Sequence, residues 1–423
     1  VKTTLLSGGG ALALAAIAGS LFVAAPASAV EVYNPVCPPV KAVRGIPLSP
    51  TPALDLYDKN AEVSISAGTL PAGVTLTGDV VNRVPYQFEG TPTATGTTTF
   101  TVKAEFVDAP AKTIDCTMVV SATPAVSRIQ GTDRYDQAVQ ISKASFTDAG
   151  TVYLASGEKF SDALSAGSVA GVHGAPLLLT PAGSLTAGTK AEIARLDPDD
   201  IVIVGGPASV SKAVLDELTT SFADATVTRI GGADRFEVSR ALIADADFGV
   251  PTSPWVYLAS GANFPDALAA SPVAVTKNAP VLLVNGAETA PTTAETNLLN
   301  SLGVSNIQIV GGTASVSQAL QTALETPFVV TRASGADRFE AAVAVNQEFT
   351  AASTMYLASG LVFPDALSAA PVAGDAGSPI YLVHQNCVPA SVLQEVVRLE
   401  PTKIVVLGGP NTLGTGVEAL KPC

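Results

Sequence analysis

Aromatic and charged side chains are both scarce in this chain. Phe, Trp and Tyr make up 5% of its 423 residues and Asp, Glu, Lys and Arg 14%, with two histidines and one tryptophan. So few charges beside 47% hydrophobic residues exclude a disordered chain. Positive charge is the rarer sign, 23 Lys+Arg against 37 Asp+Glu for a net charge of −14. That excludes broad electrostatic binding of nucleic acid, which needs a basic footprint. His173 and His384 do not occupy matching places, and the sequence has no Gly-x-Ser-x-Gly elbow, no Walker loop and no His/Cys cluster at metal spacing. The expectation is a non-enzymatic protein without cofactor or metal. Beyond residue 30 no stretch reaches the ~18 apolar residues of a membrane helix.

The one long apolar run, Ala11 to Ala25, lies at the N-terminus behind Lys2 and ends at Ala27-Ser28-Ala29, a small-x-small cleavage pattern. Residues 1–29 therefore read as a secretory signal peptide, with no membrane contact after its removal. Cysteines number four: Cys37, Cys116, Cys387 and Cys423. In an exported chain they are expected as disulfides; four allow three pairings, of which Cys37–Cys116 with Cys387–Cys423 is the simplest.

From residue 30 to 124 the texture is rich in Pro, Thr and Val. Ala61 to Ser66 and Thr97 to Phe106 alternate with the period of half-buried strands. Turn chemistry recurs at Pro71-Ala72-Gly73, Thr77-Gly78-Asp79 and Gly90-Thr91-Pro92. A β-sandwich is expected. Leu70 to Leu76, Phe88 to Pro92 and Gly96 to Val102 resemble the immunoglobulin-like modules of bacterial surface proteins. The resemblance implies a spacer or an adhesive unit.

Residues 125–423 repeat themselves. Arg128-Ile-Gln-Gly-Thr-Asp-Arg-Tyr135 returns as Arg229-Ile-Gly-Gly-Ala-Asp-Arg-Phe236 and Arg332-Ala-Ser-Gly-Ala-Asp-Arg-Phe339. Tyr-Leu-Ala-Ser-Gly recurs ending at Gly157, Gly261 and Gly360, and Phe-x-Asp-Ala-Leu recurs beginning at Phe160, Phe264 and Phe363. A Pro-Leu-Leu-Leu stretch and a Val/Leu-Gly-Gly stretch follow in the same order, the last at Gly205-Gly206, Gly311-Gly312 and Gly408-Gly409. Gly131, Gly232 and Gly335 set a period of 101 and then 103 residues (232 − 131 and 335 − 232). That exceeds the 20–50 residues of a solenoid repeat, so each copy reads as a small domain: residues 125–226, 227–329 and 330–423.

In copy one, apolar β-branched runs at 151–155, 177–179 and 201–204 alternate with helix-like stretches at 138–144, 161–171, 187–196 and 209–218. This predicts a mainly parallel sheet covered by helices, one layered α/β module per copy. Taken together and in order, these motifs resemble the type 2 cell-wall-binding repeat of secreted Gram-positive proteins, over about 300 of the 423 residues. The resemblance implies three α/β modules in a pseudo-threefold assembly. It also implies non-covalent attachment to an anionic wall polymer, teichoic-acid-like or a secondary wall polysaccharide. Copy three departs from the pattern at Tyr381 and at Asn411 to Gly416, which puts its site in doubt. The alternative is an adhesin that displays its β block to a host or environmental ligand, with the repeats as anchor.

Six arginines recur in register: Arg128, Arg134, Arg229, Arg235, Arg332 and Arg338. Their planar fork suits phosphate or carboxylate, with the first of each pair the better ligand candidate. Against this, Asp133, Asp234 and Asp337 are placed to hold the second arginine in a structural ion pair. The Gly-Gly pairs at 205–206, 311–312 and 408–409 are the other candidates, because ligands favour the carboxyl ends of parallel strands and a following helix offers N–H groups to an anion. Ser209 and Ser315 are expected to cap that helix, and the glycines read equally well as sharp turns. Asp162, Asp266 and Asp365 read as first-turn helix residues.

Overall fold

The computed structural model describes residues 37, 39–53, 61–79, 81–82, 84–107 and 109–423; the expected signal peptide lies outside the described residues. Seven strands come first: β1 (Val40–Val43), β2 (Thr51–Pro52), β3 (Ala61–Gly68), β4 (Val74–Asp79), β5 (Val84–Gly90), β6 (Gly96–Phe106) and β7 (Lys112–Ser121). They form two sheets, β1-β7-β6-β3 and β2-β5-β4, antiparallel apart from the β1–β7 pair. The alternation in β6 buries Phe100, Val102 and Ala104 on one face. Phe88 of the second sheet meets Phe100 edge-on at 5.4 Å, so the two sheets share a core. A Cys37–Cys116 disulfide ties this block. Thr77-Gly78-Asp79 is not the expected turn but the irregular end of β4, where Gly78 takes φ +153° and the register with β5 shifts.

Copy one contains β8 (Ala125–Ile129), α1 (Arg134–Ser145), β9 (Thr151–Ser156), α2 (Phe160–Val172), β10 (Leu177–Thr180), α3 (Ala187–Leu196), β11 (Asp200–Val204) and α4 (Lys212–Ser221). Copy two repeats the order as β12 (Thr226–Ile230), α5 (Arg235–Ala244), β13 (Trp255–Ser260), α6 (Pro265–Thr276), β14 (Val281–Val284), α7 (Thr293–Leu302), β15 (Asn306–Val310) and α8 (Gln318–Leu324). Copy three has β16 (Val329–Ala333), α9 (Arg338–Asn346), β17 (Thr354–Ser359), α10 (Pro364–Leu367), α11 (Ala369–Asp375), β18 (Ile380–Val383), α12 (Ala390–Leu399), β19 (Lys403–Leu407) and α13 (Thr415–Glu418). Tyr381, which breaks the Leu run of β18, is buried and donates to Glu395 at 2.6 Å, while Arg398 holds the same carboxylate. A second disulfide, Cys387–Cys423, closes the C-terminal segment.

Three four-stranded sheets result, all parallel: β10-β9-β11-β12, β14-β13-β15-β16 and β18-β17-β19-β8. The fourth strand of each comes from another copy. β12 and β16 open copies two and three yet finish the preceding sheet, and β8, which opens copy one, finishes the sheet of copy three. The expectation of one self-contained layer per copy is corrected accordingly: sequence repeat and sheet are out of phase by one strand, and the three sheets close into a ring. Repetition in sequence cannot reveal this, because a strand that opens a repeat can join either neighbouring sheet without altering the period.

Helices α2, α6 and α11 pack against one another at the centre of the ring. Their contact surface is rich in Ala, Gly and Ser: Gly167 lies where a Cβ would meet Ala370 at 3.2 Å and Ser271 at 3.6 Å. Small residues let the three helices approach closely. The β block is joined to copy three, with Val43 and Ile46 buried in the core of the repeats and Lys41 and Ser121 bonded to Glu400.

Candidate functional site

The central strands β9, β13 and β17 each run into a Ser-Gly turn and then a phenylalanine that starts the next helix. Phe160, Phe264 and Phe363 meet one another, with ring centroids 6.2, 5.6 and 5.8 Å apart. Around this triad stand the second arginines, each over the ring of a different copy: Arg134 over Phe363 (5.9 Å), Arg235 over Phe160 (5.5 Å) and Arg338 over Phe264 (5.9 Å). The cyclic order makes the arrangement pseudo-threefold. Each of these arginines also donates Nη1 to a turn carbonyl, Gly157, Gly261 or Gly360, at 2.6 Å. Glycine is required there because an aromatic ring lies on it: a Cβ on Gly157 or Gly261 would stand 2.7 Å from Tyr135 or Phe236.

Asp133, Asp234 and Asp337 are not ion-pair partners of these arginines, contrary to expectation. Each is the N-cap of its helix, with Oδ1 accepting from the two following backbone N–H groups at 2.8–3.0 Å. An N-cap side chain satisfies orphan donors and contributes about 1 kcal/mol, which outweighs a solvent-screened ion pair.

The first arginines behave differently from the ligand role expected of them. Arg128, Arg229 and Arg332 donate Nη1 to the carbonyls of Gly408, Gly205 and Gly311 at 2.6, 2.9 and 2.8 Å. Arg128 adds a 2.8 Å bond to Glu418, its side chain only 10% exposed, and Arg332 bonds Gln321 at 2.8 Å. Burial pushes the guanidinium groups of Arg229 and Arg332 below their usual value. These three pin the fourth strand of each sheet to the Gly-Gly turn.

Gly205, Gly311 and Gly408 are required twice over. They take φ +116°, +102° and +102°, and a Cβ would fall 2.1–2.4 Å from a carboxylate oxygen of Asp162, Asp266 or Asp365. Their N–H groups are spent on the neighbouring fourth strand, donating to Ile230, Ala333 and Ile129 at 2.8–2.9 Å. The helices that follow in copies one and two do not offer an anion site either, because α4 and α8 are capped by Ser211 and Ser317. Ser209 and Ser315, expected in that role, bond Asp162 and Asp266 instead. Gly206, Gly312 and Gly409 have no side-chain atom within 3.4 Å of where a Cβ would stand and are sterically free.

Burial raises the carboxyl groups of Asp162, Asp266 and Asp365, against the lowering effect of Ser209, Ser315 and Thr412 and of Arg235, Arg338 and Arg134. The folded state therefore holds these protons more tightly than the unfolded one. Their contribution to stability is complete below the ordinary Asp value of 3.8 and is lost as pH rises through the raised folded values. Asp162→Asn is expected to unfold at higher denaturant than the parent at pH 7 and to match it near pH 4. Denaturant midpoints across that range check this; a lower midpoint at pH 7 contradicts it.

Where copy one meets copy three, these parts enclose a cleft of about 540 Å³. Gln130, Thr132, Asp133, Arg134 and Asp136 line one side, and Val362, Pro364, Asp365, Gly409, Asn411 and Thr412 the other. Asn411 and Thr412, in the segment where copy three departs from the repeat pattern, thus line a cleft. The phenylalanine triad and this cleft were missed because they are contacts between copies; the sequence signal was an aromatic residue kept in all three Phe-x-Asp-Ala-Leu motifs although only half-buried.

A family model described as cell wall binding domain 2 (CWB2) matches residues 128–215, 229–321 and 332–418. Among curated proteins, the chain is 30% identical over 297 residues to an N-acetylmuramoyl-L-alanine amidase, LytC, of Bacillus subtilis (strain 168), covering 70% of this chain and 58% of that protein. It is also 30% identical over 265 residues to the amidase enhancer of the same organism, covering 62% and 35%. The chain thus spans well under two thirds of either relative. Among solved structures, Cwp8 from Clostridium difficile superposes with a TM-score of 0.63 at 26% identity, over 77% of this chain and 58% of that one. Cwp6 from the same organism gives 0.64 at 22% identity, over 90% and 66%, a likeness of fold.

Proposed function

The chain belongs to the cell wall binding domain 2 family, and on that footing we propose that it is a secreted, non-enzymatic cell-envelope protein held non-covalently on the Gram-positive wall. The observation that carries this reading is the closed ring: three family modules bring three equivalent arginine–phenylalanine–aspartate sites around one axis. Three weak sites on one repetitive polymer gain effective concentration, so overall affinity exceeds that of each site by about 10²–10⁴. The polymer is anionic in this proposal. Its phosphate or carboxylate groups meet Arg235 and Arg338, whose remaining N–H groups have no further hydrogen-bond partner among the described residues, beside Gly206 and Gly312. The two-sheet block serves as an immunoglobulin-like module displayed by the anchor.

Co-sedimentation of the purified chain with Gram-positive walls, before and after extraction of their anionic polymers, tests the proposal. Binding is expected to be lost on extraction. A folded chain that sediments with neither preparation overturns attachment, and unchanged binding after extraction moves the target to peptidoglycan.

A further inference from the structure

The cleft between copies one and three carries the wrong charge for a phosphate. Asp133, Asp136 and Asp365 line it against a single guanidinium, that of Arg134. Both oxygens of Asp136 already accept bonds, from the Thr132 N–H and Gln140, and Arg134 spends one N–H on Gly157 and lies over Phe363. A phosphate entering would meet three carboxyl groups whose hydrogen bonds are largely spent within the protein, against one guanidinium, in a partly desolvated space where like charges repel. A sugar hydroxyl, by contrast, donates to a carboxylate and accepts from an amide or guanidinium. Neutral polar groups are at hand in Thr132 and Asn411, beside the apolar Val362 and Pro364. A few placed polar groups on an apolar floor is the usual make-up of a pocket for a compact uncharged ligand.

The equivalent place between copies one and two differs at the lip. There the position of Val362 is held by Lys159, whose ammonium donates to the Ala208 carbonyl at 3.2 Å. Ala208 stands where copy three has Asn411. Val362 is 44% exposed and cannot make such a bond.

We infer that the cleft between copies one and three is a subsite for an uncharged, hydroxyl-rich sugar unit, and that this subsite reads the sugar of the wall polymer and not its charge. The inference rests on wall attachment as proposed above and adds what one site selects. Asn411, a departure of copy three from the repeat pattern, and Val362, at a position that differs in every copy, are then the specialisation of that subsite.

The test titrates the full chain with neutral oligosaccharides, released from purified walls by hydrofluoric acid and reduced at their carboxylates, and separately with glycerol phosphate. The sugars are expected to bind with a constant that changes less than about twofold between low and high NaCl, since no ionic contact is involved. Glycerol phosphate is expected to be at least tenfold weaker. The double variant Val362→Lys/Asn411→Ala transplants the lip of copy one, which already folds within this chain. It is expected to weaken sugar binding at least tenfold without lowering the melting temperature. Unchanged sugar binding in that variant, or glycerol phosphate binding more tightly than sugar, overturns the inference. A chain that sediments with walls while the neutral sugars fail to bind defeats this inference and leaves attachment standing. The opposite pair of results defeats attachment alone.

Discussion

A chain shortened to begin at Thr132 is expected to melt on the order of 10 °C below one that begins at Ala125, although the two differ by seven residues. Five of those residues are β8, the strand that closes the ring. Ala125 to Ile129 lie in register against Lys403 to Leu407 in a parallel ladder, and the Gly408 N–H donates to Ile129 at 2.9 Å. Arg128 leaves with the strand, and with it the bonds to the Gly408 carbonyl and Glu418. At about 1 kcal/mol net for each backbone hydrogen bond, and somewhat more for one to a charged group, the loss is about 4–6 kcal/mol. For domains of 150–250 residues each kcal/mol moves the midpoint by ~2–4 °C. β19 would also be left as an open edge flanked by buried residues, so self-association is expected alongside the lower midpoint. Thermal melts and size-exclusion profiles of the two chains check this. Equal midpoints would show that the ring gains nothing from closure by β8.

How far the sequence announces this architecture depends on how deeply each element is buried. The stretches at 151–155 and 187–196 match β9 and α3 closely, because a strand covered on both faces is a continuous apolar run and an amphipathic helix keeps its period. Helix α1 begins at Arg134 and not at Ala138 because its first turn is polar and is fixed by the Asp133 cap, not by packing. The strands β8, β12 and β16 were not legible at all: five residues long and partly exposed, they carry neither clear alternation nor a full apolar run. They are also the strands that cross between copies. The same limit applies at the site. Repetition singled out the arginines and glycines, but which arginine is buried under a turn and which stands over a neighbour's phenylalanine is decided by contacts that cross from one copy to another. For the cysteines, in-block pairing was the simplest of three schemes and is the one formed.

The centre of the ring should be the least tolerant place in the molecule for added volume, and Gly171→Leu is the substitution that shows it. A Cβ at Gly171 would stand 2.4 Å from Val275 Cγ2 and 3.1 Å from the Pro371 backbone, so two helices from two other copies are obstructed by the first added atom. Val275 could swing aside; the Pro371 Cα can move only with α11. Overpacking of a well-filled core costs about 1–3 kcal/mol, and more where the backbone must shift. The expected loss here is at the top of that range, about 3 kcal/mol. Gly167→Ala is the internal comparison: its Cβ would be 3.2 Å from the Ala370 Cβ and 3.6 Å from the Ser271 hydroxyl, tight but without backbone in the way, and under about 1 kcal/mol is expected. Denaturant unfolding of both variants measures the difference. Phe160 and Phe264 sit at the starts of α2 and α6, and Phe363 at the start of α10, which leads directly into α11, so a displaced α2, α6 or α11 carries its phenylalanine out of the triad and its Asp out from under the Gly-Gly turn. Gly171→Leu should therefore weaken wall binding even at temperatures where the chain is still folded, while Gly167→Ala leaves it intact. If Gly171→Leu is as stable as the parent, the three helices are not held at the close approach that the small residues permit, and the common axis of the three sites loses its structural basis.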